Sequence, residues 1–254
     1  MTEKRAFHQE LDEIRAELVR MAAMVTEFIP RGTEALLASD LRAAQALIEE
    51  DDVVDELTVL VEDHCFQVLA LQAPVATDLR ALICALKLTS EIERSADLVI
   101  NIVKAARRIY GAEFSPKLRR LIEEMSEEAV RLFRLSIDSY AEGDAALAAA
   151  LDDMDGRLDT LHRDYIQAIF EEHDDQGLEL QVAVQLALIG RYYERIGDHA
   201  VNIGNRVEFM VTGWLPEHTG AARHKARVEH AATQYGHLEV PVAPPVNGDG
   251  AVEG

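Results

Sequence analysis

Glu93-Arg94-Ser95-Ala96-Asp97-Leu98-Val99-Ile100-Asn101-Ile102 and Glu194-Arg195-Ile196-Gly197-Asp198-His199-Ala200-Val201-Asn202-Ile203 are two copies of one pattern, 101 residues apart. Glutamate, arginine, aspartate, asparagine and isoleucine return at the same positions. Upstream, Asp40, Asp51, Asp55 and Phe66 return as Asp144, Asp155, Asp159 and Phe170, now 104 residues apart. The change of offset places a three-residue length difference in the loop joining the second and third segments of each copy. A duplicated three-segment unit is the economical explanation.

Each segment reads as helix. Leu11, Ile14, Leu18, Met21 and Val25 recur at helical spacing in the first, and Leu118, Leu121, Ile122, Met125 and Val130 in the fourth. Asp40 is placed to N-cap the second helix and Asp78 the third, after the Gln72-Ala73-Pro74 break. Ser115-Pro116 is a cap followed by proline at the first helical position; Gly143-Asp144 ends one helix and starts the next, and Asp174-Asp175-Gln176-Gly177 separates the last two. Helices are therefore expected over 5–38, 40–71, 78–110, 116–142, 144–173 and 178–212. Pro30 should kink the first. No strand pattern competes. The expected fold is all-α: two tandem, duplicated three-helix bundles spanning 1–112 and 113–212, each burying its own apolar faces. Residues 213–254 hold four of the seven prolines and end in low complexity, which predicts a largely disordered tail with a short helix near 221–232.

Composition narrows the function. The chain has 254 residues, is 48% apolar but only 6% aromatic, and carries 25 basic against 46 acidic residues, a net charge of −21. Such a surface repels phosphate backbones and anionic lipid, so no nucleic-acid partner is expected; cations and basic protein surfaces suit it. Cys65 and Cys84 lie in apolar helical runs and read as buried, reduced thiols. No apolar leader or membrane-length stretch is legible, and a soluble cytoplasmic protein is expected.

Carboxylates carry the chemistry. Asp51/Asp55, Glu93/Asp97, Asp155/Asp159 and Glu194/Asp198 are each spaced i, i+4, so both acids of a pair share a helix face. Glu93 falls amid Leu82, Leu86, Ala96 and Ile100, and Glu194 amid Ala183, Ala187, Gly190, Gly197 and Val201. Asp55 shares a stripe with Ile48, Val59 and Phe66, as Asp159 does with Ala148, Ile166 and Phe170. Carboxylates on a helix–helix face need a partner or a proton. A cation is the natural partner for four that converge from two helices, and oxygen donors favour Mg²⁺, Mn²⁺ or iron. Arg94 and Arg195 would be the metal-free partners, but each points about 100° away from its neighbouring glutamate.

Other polar groups are weaker signals. His199, next to Asp198, reads either as a ligand or orienting group or as a surface histidine. His162, three residues after Asp159, echoes the Glu-x-x-His step of di-iron bundles once and with aspartate. Asn101 and Asn202 are further ligands or helix–helix hydrogen-bonders. No phosphate cradle, nucleophile elbow, catalytic triad or zinc-type spacing is present. No catalytic residue is assigned.

Gln72-Ala73-Pro74-Val75-Ala76-Thr77-Asp78-Leu79-Arg80, followed by Glu93-Arg94-Ser95-Ala96-Asp97-Leu98, resembles the first half of a PhoU protein; Tyr193 to Ile203 resembles the signature of its second half. The similarity spans about residues 5–212. The resemblance implies two similar three-helix bundles side by side. It also implies metal clusters of iron, zinc, manganese or magnesium on Asp51/Asp55 with Glu93/Asp97 and on Asp155/Asp159 with Glu194/Asp198. By the same resemblance the chain is a non-enzymatic regulator. It would couple the ATP-binding subunit of a phosphate transporter to a phosphate-sensing membrane histidine kinase, restrain uptake and repress the starvation response. Homodimers or higher oligomers, recruited by partners to the inner face of the membrane, go with that reading. The alternatives are a ferritin-like di-metal protein and a metal-free helical adaptor. Ser95-Ala96 stands where the family usually has Ile-Gly, Pro30 interrupts a helix normally continuous, and the resemblance is silent on residues after 213.

Overall fold

In the computed structural model, residues 2–214 are described, apart from the side chains of 2–6 and 175–176. The expected disordered tail and its helix near 221–232 lie outside the described residues. Six helices follow in order: α1 (Thr2–Leu37), α2 (Leu41–Gln72), α3 (Ala76–Arg108), α4 (Pro116–Glu142), α5 (Ala145–Gln176) and α6 (Leu180–Thr212). No strand occurs among the described residues.

The duplication extends to the backbone. Asp40 and Asp144 open α2 and α5 with the same φ −87 and ψ 94, and each accepts from the N–H groups two and three residues on, at 2.9 and 3.0 Å. Ser115 Oγ accepts from Leu118 N at 3.1 Å, with Pro116 at the first helical position. Gly143 closes α4 in the left-handed region, φ 66, where only glycine is unstrained.

Two boundary expectations are corrected. Val75, extended at φ −130 and ψ 158 after Pro74, precedes α3; Asp78 is not its cap and sits in the first turn, where a negative charge still suits the helix dipole. Asp174 to Gln176 belong to α5, which stops only at Gly177, φ 72. Helix α1 runs through Pro30 unbroken. A proline inside a helix costs about 3 kcal/mol or more; the neighbouring Phe28, Ile29 and Thr33 are buried, and tertiary packing carries the turn.

The two expected three-helix bundles form, α1–α3 and α4–α6, and their cores join into one. α3 packs on α6 and α1 on α4, so four inner helices join the halves, while α2 touches only α1 and α3, and α5 only α4 and α6. Ile14, Leu18, Met21 and Val25 are buried with Leu118, Ile122 and Met125 in one continuous apolar cluster. Across the α1–α4 seam, Arg119 donates to the Leu37 carbonyl (3.1 Å) and Arg15 to the carbonyls of Tyr140 and Ala141, so each arginine satisfies the other helix's C-terminal end. Thr33 donates to the Ile29 carbonyl (2.8 Å), and its hydroxyl lies 2.7 Å from both Ser126 Oγ and Tyr193 OH, tying α1, α4 and α6. Cys65 and Cys84 are buried and unpaired, as expected. No described helix is long and apolar enough to cross a membrane.

Candidate metal centres

The eight predicted acids fall into two groups, each between an outer helix and its inner neighbour: α2 with α3, and α5 with α6. Burial repeats as faithfully as sequence does. Asp51 and Glu93 are half-buried and Asp55 and Asp97 exposed; Asp155 and Glu194 are half-buried and Asp159 and Asp198 exposed. The expected apolar setting holds fully for the inner helices and in part for the outer ones. Ile48, Ala148 and Ile166 pack on the core, whereas Val59, Phe66 and Phe170 of the same stripes are more than half exposed.

Within each group the acids act on one another. Burial, then Asp55 and Asp97, push Asp51 up to about 6. Glu93 is raised by burial, Asp97 and Asp55. In the second group burial, then Asp159, Asp198 and Glu194, push Asp155 up to about 7. Glu194 is raised by burial and Asp198, with Arg191 opposing. Each group therefore brings together the two predicted pairs of its half, in matching fashion and at an electrostatic cost.

The donor chemistry fits a hard or borderline cation. Asp155 Oδ1 and Glu194 Oε2 are buried with no hydrogen-bond partner, a condition that costs about 1–3 kcal/mol per group. Gly197 makes the approach: a Cβ there would strike Asp155 Oδ1 and lie 2.7 Å from Leu158 Cδ2. Among the described residues, no three His, Cys, Asp or Glu side chains form a ready-made cage around one point. A bound ion would neutralise the group and tie the two helices together, and Asp51, Asp55, Glu93 and Asp97, or Asp155, Asp159, Glu194 and Asp198, would hold it.

The weaker candidates separate. His199 is buried, not on the surface, with Nδ1 2.6 Å from Glu91 Oε2; Asn202 Nδ2 donates to the same oxygen at 3.2 Å. Both therefore bridge α6 to α3, and Asn202 is a helix–helix hydrogen-bonder. Burial disfavours the Glu91 carboxylate, but the hydrogen bonds from His199 and Asn202 outweigh it and hold its pKa low. Asn101 is half-buried on α3.

Sequence reasoning missed three residues. Glu91 was hidden because its repeat equivalent is Tyr192, so no duplicated signal marks it. Arg191 pairs with Glu194 Oε1 one turn away, a partner at i, i+3 that attention to the adjacent Arg195 overlooked. Lys104 acts on Asp51, tempering the first group. His162, noted only as an echo, has its Nε2 buried without a partner; burial, with the Arg191 charge adding, lowers its pKa and favours the neutral ring.

Six long helices in two equivalent threes, with a four-acid group on the same helix pair of each, define a duplicated carboxylate-bearing helical scaffold. The PhoU domain model matches twice, over residues 18–106 and 122–207. A curated relative from Mycobacterium tuberculosis, "Phosphate-specific transport system accessory protein PhoU homolog 1", is 35% identical over 211 residues, 83% of this chain and 95% of its own. The crystal structure of PhoU from Pseudomonas aeruginosa superposes with a TM-score of 0.77 at 25% identity, covering 82% of this chain and 100% of that one. That of the phosphate transport system regulatory protein PhoU from Streptococcus pneumoniae gives 0.76 at 23%, covering 82% and 98%. The chain belongs to the PhoU family.

Proposed function

We propose that the chain is a non-enzymatic regulator of phosphate transport. It works on the cytoplasmic side of the membrane with the ATP-binding subunit of a phosphate transporter and a phosphate-sensing histidine kinase. The observation that carries this is the double family match over both halves, with relatives named as phosphate transport accessory proteins. In this reading the outer helices supply the contact surface. Phe66 and Phe170 stand exposed at equivalent places on α2 and α5, eleven residues or about three turns beyond Asp55 and Asp159. Cations on the two acid groups neutralise their repulsion and stiffen α2 on α3 and α5 on α6, so that the contact surface is presented in one shape. Assembly as a homodimer or higher oligomer belongs to the same proposal.

The ferritin-like alternative is weaker. It needs two Glu-x-x-His steps from facing helices, and Asp159 to His162 is a single step with aspartate. The test is phosphate uptake at high external phosphate in cells lacking the chain, with co-purification of the transporter's ATP-binding subunit. Unrestrained uptake, reversed by the wild-type chain, is expected. Unchanged uptake together with no co-purification would overturn the proposal.

A further inference from the structure

We propose that His162 is a nitrogen ligand of the second acid group, so that the two halves of the molecule hold chemically different cations. The proposal rests on the reading that the acid groups hold metal. Asp155, Asp159 and His162 stand at i, i+4 and i+7, so all three lie along one stripe of α5. That stripe faces α6: Asp155 lies against Gly197 and His162 against Gly190. His162 Nε2 is buried with no hydrogen-bond partner, and so are Asp155 Oδ1 and Glu194 Oε2. Three unsatisfied donor atoms stand on two facing helices. Asp155 and His162 are seven residues, about 10 Å, apart along α5, and among the described residues no three such side chains surround one point. A cluster of more than one ion, with His162 at one end, would meet the need of all three.

Gly190 makes room for two rings, Tyr165 most closely and His162 beside it. A Cβ on Gly190 would lie 3.1 Å from His162 Cδ2 and 2.7 Å from the Tyr165 ring, so α6 carries no side chain at the level where the rings enter. Arg191, on the next residue, engages Glu194 Oε1 and leaves Oε2 as the oxygen without a partner.

The first half keeps the acids but lacks both the imidazole and the glycine. At the 104-residue offset His162 corresponds to Thr58, whose hydroxyl donates to the Val54 carbonyl at 3.0 Å. At the 101-residue offset Gly190 corresponds to Thr89, whose hydroxyl donates to the Ala85 carbonyl at 2.9 Å. Both threonines turn their hydroxyls back onto their own helix. The first group is thus an oxygen-only donor set and the second a mixed one. Oxygen-only sites suit Mg²⁺ and Mn²⁺, whereas an imidazole shifts preference toward Zn²⁺, Fe²⁺ or Co²⁺.

The experiment strips the full chain with chelator and titrates it with Zn²⁺ and, separately, Mn²⁺. It compares wild type, His162→Gln, and a variant with Asp155→Asn, Asp159→Asn, Glu194→Gln and Asp198→Asn together. The proposal expects His162→Gln to weaken Zn²⁺ at one class of sites about tenfold or more while Mn²⁺ affinity changes less than about threefold. It also expects the His162 ring ¹⁵N resonance of the wild-type chain to move on Zn²⁺ addition, a readout that needs no variant to fold. Unchanged Zn²⁺ affinity in His162→Gln, with one class of sites lost in the four-acid variant, would overturn the role of His162 and leave the metal reading standing. Equal losses for Zn²⁺ and Mn²⁺, or a ring resonance unmoved at saturation, would also overturn it. A wild-type chain that binds neither ion would overturn both readings.

Discussion

Replacing Asp155 by asparagine should stabilise the metal-free protein above neutral pH, an unusual outcome for a half-buried polar residue. Asp155 is pushed from 3.8 up to about 7 by burial and by Asp159, Asp198 and Glu194. The folded chain therefore holds a proton there more tightly than the unfolded chain does. Stability is undiminished below about pH 4, falls as pH rises toward about 7 while the unfolded carboxyl ionises freely and the folded one resists, and levels off above that. At 1.36 kcal/mol per pH unit the displacement sets a ceiling of roughly 4 kcal/mol. The side chain is half exposed, so solvent screening brings the expected effect to about 2 kcal/mol. The amide that replaces the carboxylate has no charge to desolvate. Asp155→Asn should thus melt about 4–8 °C above wild type at pH 8 in chelator and level with it near pH 4. With Mn²⁺ or Zn²⁺ added, the order should reverse, because the variant has lost a ligand. Thermal unfolding by circular dichroism across pH 4–9, with and without metal, reads all of this. A variant less stable than wild type at pH 8 in chelator, or a difference that ignores pH, would refute the reasoning.

Three further outcomes follow from the packing. Glu91→Ala removes the acceptor shared by His199 and Asn202 at the α3–α6 seam; urea unfolding should show a loss of about 3 kcal/mol. Gly204→Ala gains about 1 kcal/mol of helix propensity, yet the new Cβ would sit 2.7 Å from the Ala148 carbonyl oxygen. A net loss of about 1–2 kcal/mol is expected, and a rise in melting temperature would show that α5 yields there. Phe66→Ser and Phe170→Ser alter exposed rings and should change stability by less than about 0.5 kcal/mol each, while weakening co-purification with the transporter subunit.

Much of this molecule was legible because it is duplicated. The recurrence of Asp40 as Asp144 located two caps whose dihedrals are the same, and the shared Glu-x-x-x-Asp pattern located both acid groups. What was not legible lies where the copies diverge. Glu91 and His199 form a cross-half pair from residues whose counterparts are Tyr192 and Leu98, so repetition could not mark them. The exposure of Phe66 and Phe170 was misread because helical periodicity reports a stripe but not whether anything covers it. Pro30 lies within a continuous α1, where a buried neighbourhood offsets the local cost. The shared core was hidden for a related reason: α1, α3, α4 and α6 are apolar on more than one face, which a three-helix reading assigns to a single bundle.

The central claim is that two carboxylate groups, one in each half, hold cations within a phosphate-transport regulator. Its most direct test is calorimetric titration of chelator-stripped chain with Mn²⁺, comparing wild type with Glu93→Gln and Glu194→Gln. The account predicts two separable classes of binding, with Glu93→Gln abolishing one and Glu194→Gln the other. Heat of binding that survives in both variants, or none in the wild type, would contradict it.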